Sequence, residues 1–292
     1  MPPIDTPLFF FGCGNMGTAI IAGAASAGAL DPTRVVAFSP GVERREELVR
    51  LGVGRSSDIE AALRSFHDLE DQAATAGQVV LGIKPQVLPD VRDQLGAVVA
   101  GRRRVVITML AGVTSGTVRD VCISGGATAE KVGVVRVMPN TPASIRRGMS
   151  AIAMGDGAVD GDLSVSEQLF ASLGELLSID ESMMDAFTGV AGSGPAYVFL
   201  FAESMARAAQ DIGFNEHEAA LLARQTLTGA AMLLAQSGET PEALRTKVTS
   251  KKGTTAAGVE ALESAGFRDA IASAVRAARD RGAALSEIAK GG

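Results

Sequence analysis

A short apolar run, Leu8-Phe9-Phe10-Phe11, passes without a break into Gly12-Cys13-Gly14-Asn15-Met16-Gly17 and then into a helical stretch. Few local structures satisfy that order. A buried strand that turns sharply into a helix needs a residue free to adopt left-handed backbone angles, which glycine does at no steric cost. Gly12 is expected to make the tight turn, Gly14 to let a pyrophosphate approach the backbone, and Gly17 to let helix and strand pack closely. Asn15 and Met16 then open the helix at the end that attracts anions. Cys13 is expected to point outward from the turn as a small filler without chemistry. Glycine is frequent here, 34 of 292 residues, so three glycines alone are a weak signal; their place between strand and helix gives them weight.

The rest of the first half repeats that alternation. Continuous Val/Ile/Leu-rich runs at 8–11, 34–38, 78–83, 104–109 and 131–137, with a weaker one around Val53, are separated by helical stretches such as 16–27, 43–51, 59–66 and 88–100. Unbroken apolar runs fit strands buried on both faces, and strand–helix alternation builds a parallel, doubly wound sheet. A strand at 149–154 is expected to close the domain. The segment 155–163 holds three glycines and three aspartates, which sets the expected boundary. Residues 1–163 are then a Rossmann-like α/β domain, mostly parallel, and 164–292 an all-α domain. A helix at 165–173 and a strand at 175–179 can extend the first domain to about 182. Beyond Met183 the strand-like runs vanish and Ala/Leu/Glu/Arg helices follow, with Asn215 and Thr240-Pro241 as good helix starts. The stretch 221–235, LLARQTLTGAAMLLA, is more apolar than one protomer's core can absorb, so self-association as a dimer through these helices is expected.

Composition narrows the function. A net charge of −6, 4% aromatic residues and no Trp argue against nucleic acid or an anionic membrane as the main partner. Two cysteines, Cys13 and Cys122, build neither a disulfide framework nor a metal cluster. They are expected to be free thiols in a reducing cytoplasm. The N-terminus lacks a signal-peptide pattern, and no apolar run approaches a membrane span. A cytoplasmic protein with no bound metal is the expectation.

The second strand ends Phe38-Ser39-Pro40, without the acid that usually meets the ribose hydroxyls of NAD. Ser39 at its tip, with Arg44 and Arg45 close behind, suits the 2′-phosphate of NADP(H), with NAD(H) possible. The two arginines fit a solvated first helical turn equally well. Lys84-Pro85-Gln86 falls on the carboxyl edge of the sheet, where ligands of open sheets bind. Lys84 is either a charged contact to a ligand or a strand-end lysine whose backbone matters more. Acid–base candidates are scarce: His67 and His217 sit in surface-type helical stretches, and Tyr197, the only tyrosine, lacks dyad spacing. Carbonyl redox chemistry wants a positioned proton donor. A cationic imine already carries its proton and needs mainly placement, anchoring and exclusion of water.

Three further motifs stand in order along the chain: Arg136-Val137-Met138-Pro139-Asn140-Thr141-Pro142-Ala143, Gly192-Ser193-Gly194-Pro195-Ala196-Tyr197, and Val248-Thr249-Ser250-Lys251-Lys252-Gly253-Thr254-Thr255. With the glycine turn and the LGIKPQ run at 81–86, they resemble the pyrroline-5-carboxylate reductase family from about residue 8 to 285. The resemblance implies hydride transfer from NAD(P)H to the imine carbon of 1-pyrroline-5-carboxylate, giving L-proline in the last step of its biosynthesis. It implies a helical domain that interleaves with its partner in a dimer, which often assembles further. It gives Ser250, Gly253, Thr254 and Thr255 to the substrate, with amides on the carboxylate and the Thr255 hydroxyl, the catalytic assignment, on the ring nitrogen. Asn140, Thr141 and Pro142 would lie near the nicotinamide, residues 192–195 would shape the pocket floor, and Glu203 would serve the fold. Gly12, Gly14, Asn15, Met16, Gly17, Ser39, Lys84, Pro85 and Asn140 make up the expected cofactor set. One departure stands out. The family loop usually reads Ser, then Pro or Lys, then Gly-Gly, and Lys252 occupies the first glycine position. A lysine with positive φ there costs roughly 1 kcal/mol, which means a tolerated surface residue or an altered loop. The altered loop leaves open a reductase of a related cyclic imine, or a silent dinucleotide-binding scaffold.

Overall fold

The computed structural model describes residues 2–42 and 45–290. Its strands are β1 (Leu8–Phe11), β2 (Val35–Phe38), β3 (Gly54–Ser56), β4 (Gln78–Leu81), β5 (Arg104–Thr108), β6 (Val132–Met138), β7 (Gly148–Met154) and β8 (Gly174–Ser178). They form one sheet in the order β3-β2-β1-β4-β5-β6-β7-β8. Every pairing is parallel except β6 with β7. The reversal at β7 follows from its short connection, since a parallel return needs a long crossover. Crossovers are made by α1 (Asn15–Ser26), α2 (Glu46–Leu51), α3 (Ile59–Ala73), α4 (Arg92–Val99) and α5 (Ser115–Ser124). The expected start of α2 at 43 falls on residues outside the described ones, as does Arg44.

All four residues of β1 are buried because helices cover both faces of the sheet. Side chains alternate across a strand, so Leu8 and Phe10 enter one core cluster with Ile20, Val80 and Ile107. Phe9 and Phe11 enter the other with Phe38, Phe66 and Val106. Phe9 meets Phe66 edge-on at 5.2 Å, and Phe11 meets Phe38 at 5.1 Å. A buried ion pair lies beside this second cluster: Glu70 of α3 and Arg104 of β5, each 1% exposed, pair through both carboxylate oxygens. Glu70 also accepts the Gly77 N–H, and the guanidinium lies 5.0 Å from the Phe66 ring centroid.

The sheet does not end at β7. Helix α6 (Ser164–Ala171) adds Val165, Leu169 and Phe170 to the first core, and β8 pairs with β7 from Gly148↔Gly174 to Ile152↔Ser178. The first compact unit therefore runs to Gly192 and also takes in the chain from Ala277 onward. Its end lies beyond the expected 163 and beyond the outer limit of about 182. The second unit, Ser193–Arg276, holds α8 (Gly194–Asp211), α9 (Glu216–Ser237), α10 (Pro241–Lys247), α11 (Thr254–Ser264) and the start of α12 (Phe267–Lys290). Between Ser178 and α8 lie α7 (Met184–Phe187) and a wide π-type turn, Thr188–Gly192. Asn215 caps α9 in a reciprocal box with Glu218, and Thr240 caps α10 just ahead of Pro241. Within this unit α8 buries no residue, while Phe199, Leu200, Leu222 and Leu233 are exposed. An apolar surface of that kind marks an interface.

Candidate active site

At the end of β1 the backbone turns at Gly12 with φ +86°. A Cβ there would lie 2.8 Å from Ile83 N and 2.9 Å from Gly82 C, and one on Gly82 would lie 2.7 Å from Gly12 O. The chain ends of β1 and β4 are thus pressed together, and a side chain fits at neither glycine. Gly82 also donates its N–H to Phe11 O at 2.9 Å. It belongs to the turn although no part of the Gly12–Gly17 pattern announces it. Gly17 lets α1 settle onto the strand, with its Cβ position 3.6 Å from Phe10 Cδ1 and 3.2 Å from Cys13 Sγ. Cys13 therefore points inward and is fully buried, contrary to the expectation that it faces out. A thiol is small and apolar enough for that slot. Burial pushes its pKa up to about 11, against the smaller opposing effects of Thr18 and Arg45.

Gly14 is different. Its backbone (φ −77°, ψ −160°) is open to any residue, and among the described residues no non-neighbouring atom lies within 4 Å of its Cβ position. It caps α1 without a side-chain hydrogen bond, and among the described residues no side chain bonds the amides that open the helix. Arg45 brings a cation to the same end, its Nη1 3.3 Å from Asn15 Oδ1 and 3.4 Å from Thr18 Oγ1. Asn15, Thr18, Ala22, Arg45, Glu47 and Ser144 line a recess of about 270 Å³ there. Open backbone, uncapped amides and a guanidinium fit the phosphates of a dinucleotide.

Ser39 is half-buried just past β2 and accepts the Val42 N–H on its main-chain oxygen at 3.1 Å. Lys84 is exposed and starts the Pro85–Val87 turn, its carbonyl accepting the Val87 N–H at 3.0 Å. Asn140 is buried, and its side-chain amide holds two backbone groups of the first unit: Nδ2 donates to Ala191 O and Oδ1 accepts the Met149 N–H. A partly buried network was not legible in the sequence. Arg136 pairs with Glu181 at 3.1 Å, and Glu181 accepts both the N–H and the hydroxyl of Ser115 at the start of α5.

In the second unit, Gly253 donates its N–H to Ser250 O at 3.0 Å and closes a turn in which Lys252 has φ +60°. This is the third turn position, where positive φ calls for glycine. Gly253 then caps α11 with no side-chain bond, and Thr254 and Thr255 are its first two residues, both exposed. The two threonines are therefore not the cap, and among the described residues no side chain bonds the start of α11. His67 and His217 are exposed on helices, and the Tyr197 hydroxyl lies 3.4 Å from Ala274 O. Glu203 is exposed and lines an apolar groove between α8 and α9 with Phe199, Arg224 and Leu227.

Residues 181–285 match the family model for pyrroline-5-carboxylate reductase dimerisation, and 7–112 match one described as NADP oxidoreductase, coenzyme F420-dependent. Pyrroline-5-carboxylate reductase of Arabidopsis thaliana is 33% identical over 279 residues, 95% of either chain. The chain belongs to the pyrroline-5-carboxylate reductase family. The Synechocystis enzyme of that name is 36% identical over 96% of this chain and 98% of its own. A solved pyrroline-5-carboxylate reductase from Coxiella burnetii superposes with a TM-score of 0.81 at 29% identity, covering 97% of this chain and 99% of that one. The Plasmodium falciparum pyrroline carboxylate reductase solved with NADP bound shares the fold, with a TM-score of 0.80 at 24% identity over 96% and 98%. As a family member this protein is an NAD(P)H-dependent oxidoreductase that reduces pyrroline-5-carboxylate in proline biosynthesis. The match to the dimerisation model and the exposed apolar helices of the second unit agree on self-association. Among the described residues no helix is long and apolar enough to cross a membrane.

Proposed function

We propose that two loops divide the work of reducing 1-pyrroline-5-carboxylate to L-proline, with NADPH the preferred donor. The observation that carries this reading is a pair of uncapped helix starts, each behind a glycine: Gly14 before α1 and Gly253 before α11. The amides of Asn15, Met16 and Gly17 take the dinucleotide phosphates across the open backbone of Gly14. Ser39 and Arg45 serve the 2′-phosphate, which a carboxylate at the tip of β2 would repel. Lys84 and Pro85 border the cofactor at the end of β4. Bound there, the nicotinamide supplies a hydride.

The α11 loop anchors the acceptor. Ser250, Gly253 and Thr254 hold the substrate carboxylate at the helix start, where the dipole favours an anion. The Thr255 hydroxyl accepts a hydrogen bond from the protonated ring nitrogen and keeps that proton in place, so no separate general acid is required. The dimer assembles further into a ring, in a cytoplasm that keeps Cys13 and Cys122 reduced. The test is oxidation of NADPH on addition of 1-pyrroline-5-carboxylate, with Thr255→Ala slowed about tenfold for one lost hydrogen bond to a charged group. An unchanged rate in that variant removes Thr255 from the chemistry. A second reading rests on Lys252, whose positive φ preserves the turn but adds an ammonium beside the loop. A reductase preferring a six-membered imine acid would show the higher kcat/KM for that ring.

A further inference from the structure

Asn140 lies two residues beyond β6, and only 8% of it is exposed. Nδ2 donates to Ala191 O at 3.0 Å, Oδ1 accepts the Met149 N–H at 3.0 Å, and its main-chain oxygen accepts the Ala143 N–H at 3.1 Å. Only this orientation of the amide satisfies both side-chain partners, because the flipped form sets N–H against N–H and oxygen against oxygen. One residue thereby ties the end of β6 to the Thr141–Ile145 turn, the start of β7 and the Thr188–Gly192 turn. Gly192 closes over the same place: a Cβ there would lie 3.3 Å from Thr188 Cγ2 and 3.8 Å from Met138 Cγ. A π-type turn is a rare geometry that is frequent at functional sites, and it needs fixed partners to persist.

We infer that Asn140 is a positioning residue for hydride transfer and not a contact that holds the nucleotide. Its amide oxygen and nitrogen are each engaged by the protein's own backbone. What they fix is the shape of the two turns bordering the carboxyl end of β6. The inference rests on the reading above, in which the cofactor lies along the carboxyl edge of the sheet. Nucleotide affinity is then insensitive to Asn140, while the rate and transition-state geometry of the transfer depend on it.

Asn140→Asp keeps an acceptor for Met149 but turns a carboxylate oxygen toward Ala191 O. Asn140→Ala removes both bonds. Four quantities separate the roles: NADPH Kd from the nucleotide's own fluorescence, amide exchange of 188–194 without ligand, kcat, and the isotope effect with NADPH deuterated at the transferred position. The expected result is a Kd within twofold of wild type, faster exchange at 188–194, kcat lower by about tenfold for a lost buried hydrogen bond, and a larger isotope effect. A Kd weakened in step with kcat, with exchange unchanged, makes Asn140 a cofactor contact and overturns the inference. So does an unchanged kcat, or failure of both variants to fold, which would leave the amide serving the fold alone. If wild type itself fails to reduce the imine, the functional reading falls, while Kd and exchange still report on Asn140.

Discussion

Gly12 and Gly14 stand two residues apart in one turn, yet the structure assigns them opposite liabilities. At Gly14 the backbone angles suit alanine and the added methyl meets nothing. Replacing glycine at such a position stabilises by about 0.4–1 kcal/mol through the unfolded chain. Losing glycine's preference as a helix cap offsets much of that. The net is near zero, so Gly14→Ala should melt within about 2 °C of wild type. The same methyl occupies the approach of the dinucleotide phosphates. A hydrogen bond to a charged group is worth about 1.5–3 kcal/mol, so loss of one weakens NADPH binding by about 10–100-fold. Gly12→Ala does the reverse. Its φ of +86° costs alanine about 1–2 kcal/mol, and the methyl strikes backbone atoms of Gly82 and Ile83 that have little room to yield. That variant should lose several degrees of Tm. With no Trp in the chain, binding is best read from NADPH fluorescence, alongside thermal unfolding at one fixed protein concentration. Wild-type NADPH affinity in Gly14→Ala would refute the placement of the phosphates.

Three further outcomes concern the buried ion pair and the α11 loop. Glu70→Gln leaves the Arg104 charge buried without its partner, which should destabilise the protein by about 3–5 kcal/mol; a shift below 1 kcal/mol in urea unfolding would contradict it. Burial alone would raise the Glu70 pKa, but the Arg104 guanidinium, the Gly77 N–H and the nearby Arg102 charge hold it below the ordinary 4.5. Its stabilising contribution is therefore complete above about pH 4.5 and drains away as pH falls toward the lowered folded value; in Glu70→Gln the acid limb of a stability profile should be shallower. Lys252→Gly relieves a left-handed lysine at a cost in chain entropy, for a net gain of about 0.5–1 kcal/mol and a Tm higher by roughly 1–3 °C; a lower Tm would show that the lysine side chain supports the loop.

Much of the first unit was legible because its signals are local. Strand β1 falls where its phenylalanines predict it, and β2 and β4–β6 lie within two residues of their apolar runs. Pairwise facts between distant residues were not legible. Glu70 sits in FHDLEDQ, a stretch that reads as an acidic surface helix, and only the fold brings Arg104 to meet it inside. Strand β8 was legible, expected at 175–179 and found at Gly174–Ser178, but not its parallel pairing with β7, which carries the first unit past the soft segment at 155–163. Cys13 was misplaced because sequence cannot say which way a turn residue faces. Asn140 read as a nicotinamide contact, while its hydrogen-bond partners lie 9 and 51 residues further along. The Lys252 angle, by contrast, was anticipated from the glycine that its position calls for.

The Gly14 and Gly253 helix starts are proposed to serve one reaction, imine reduction by a nicotinamide dinucleotide with a 2′-phosphate. Steady-state kinetics with 1-pyrroline-5-carboxylate and each of NADPH and NADH test it most directly. The expected result is L-proline as product and a higher kcat/KM with NADPH than with NADH. No turnover with either nucleotide would contradict the reaction, and a preference for NADH would contradict the parts given to Ser39 and Arg45.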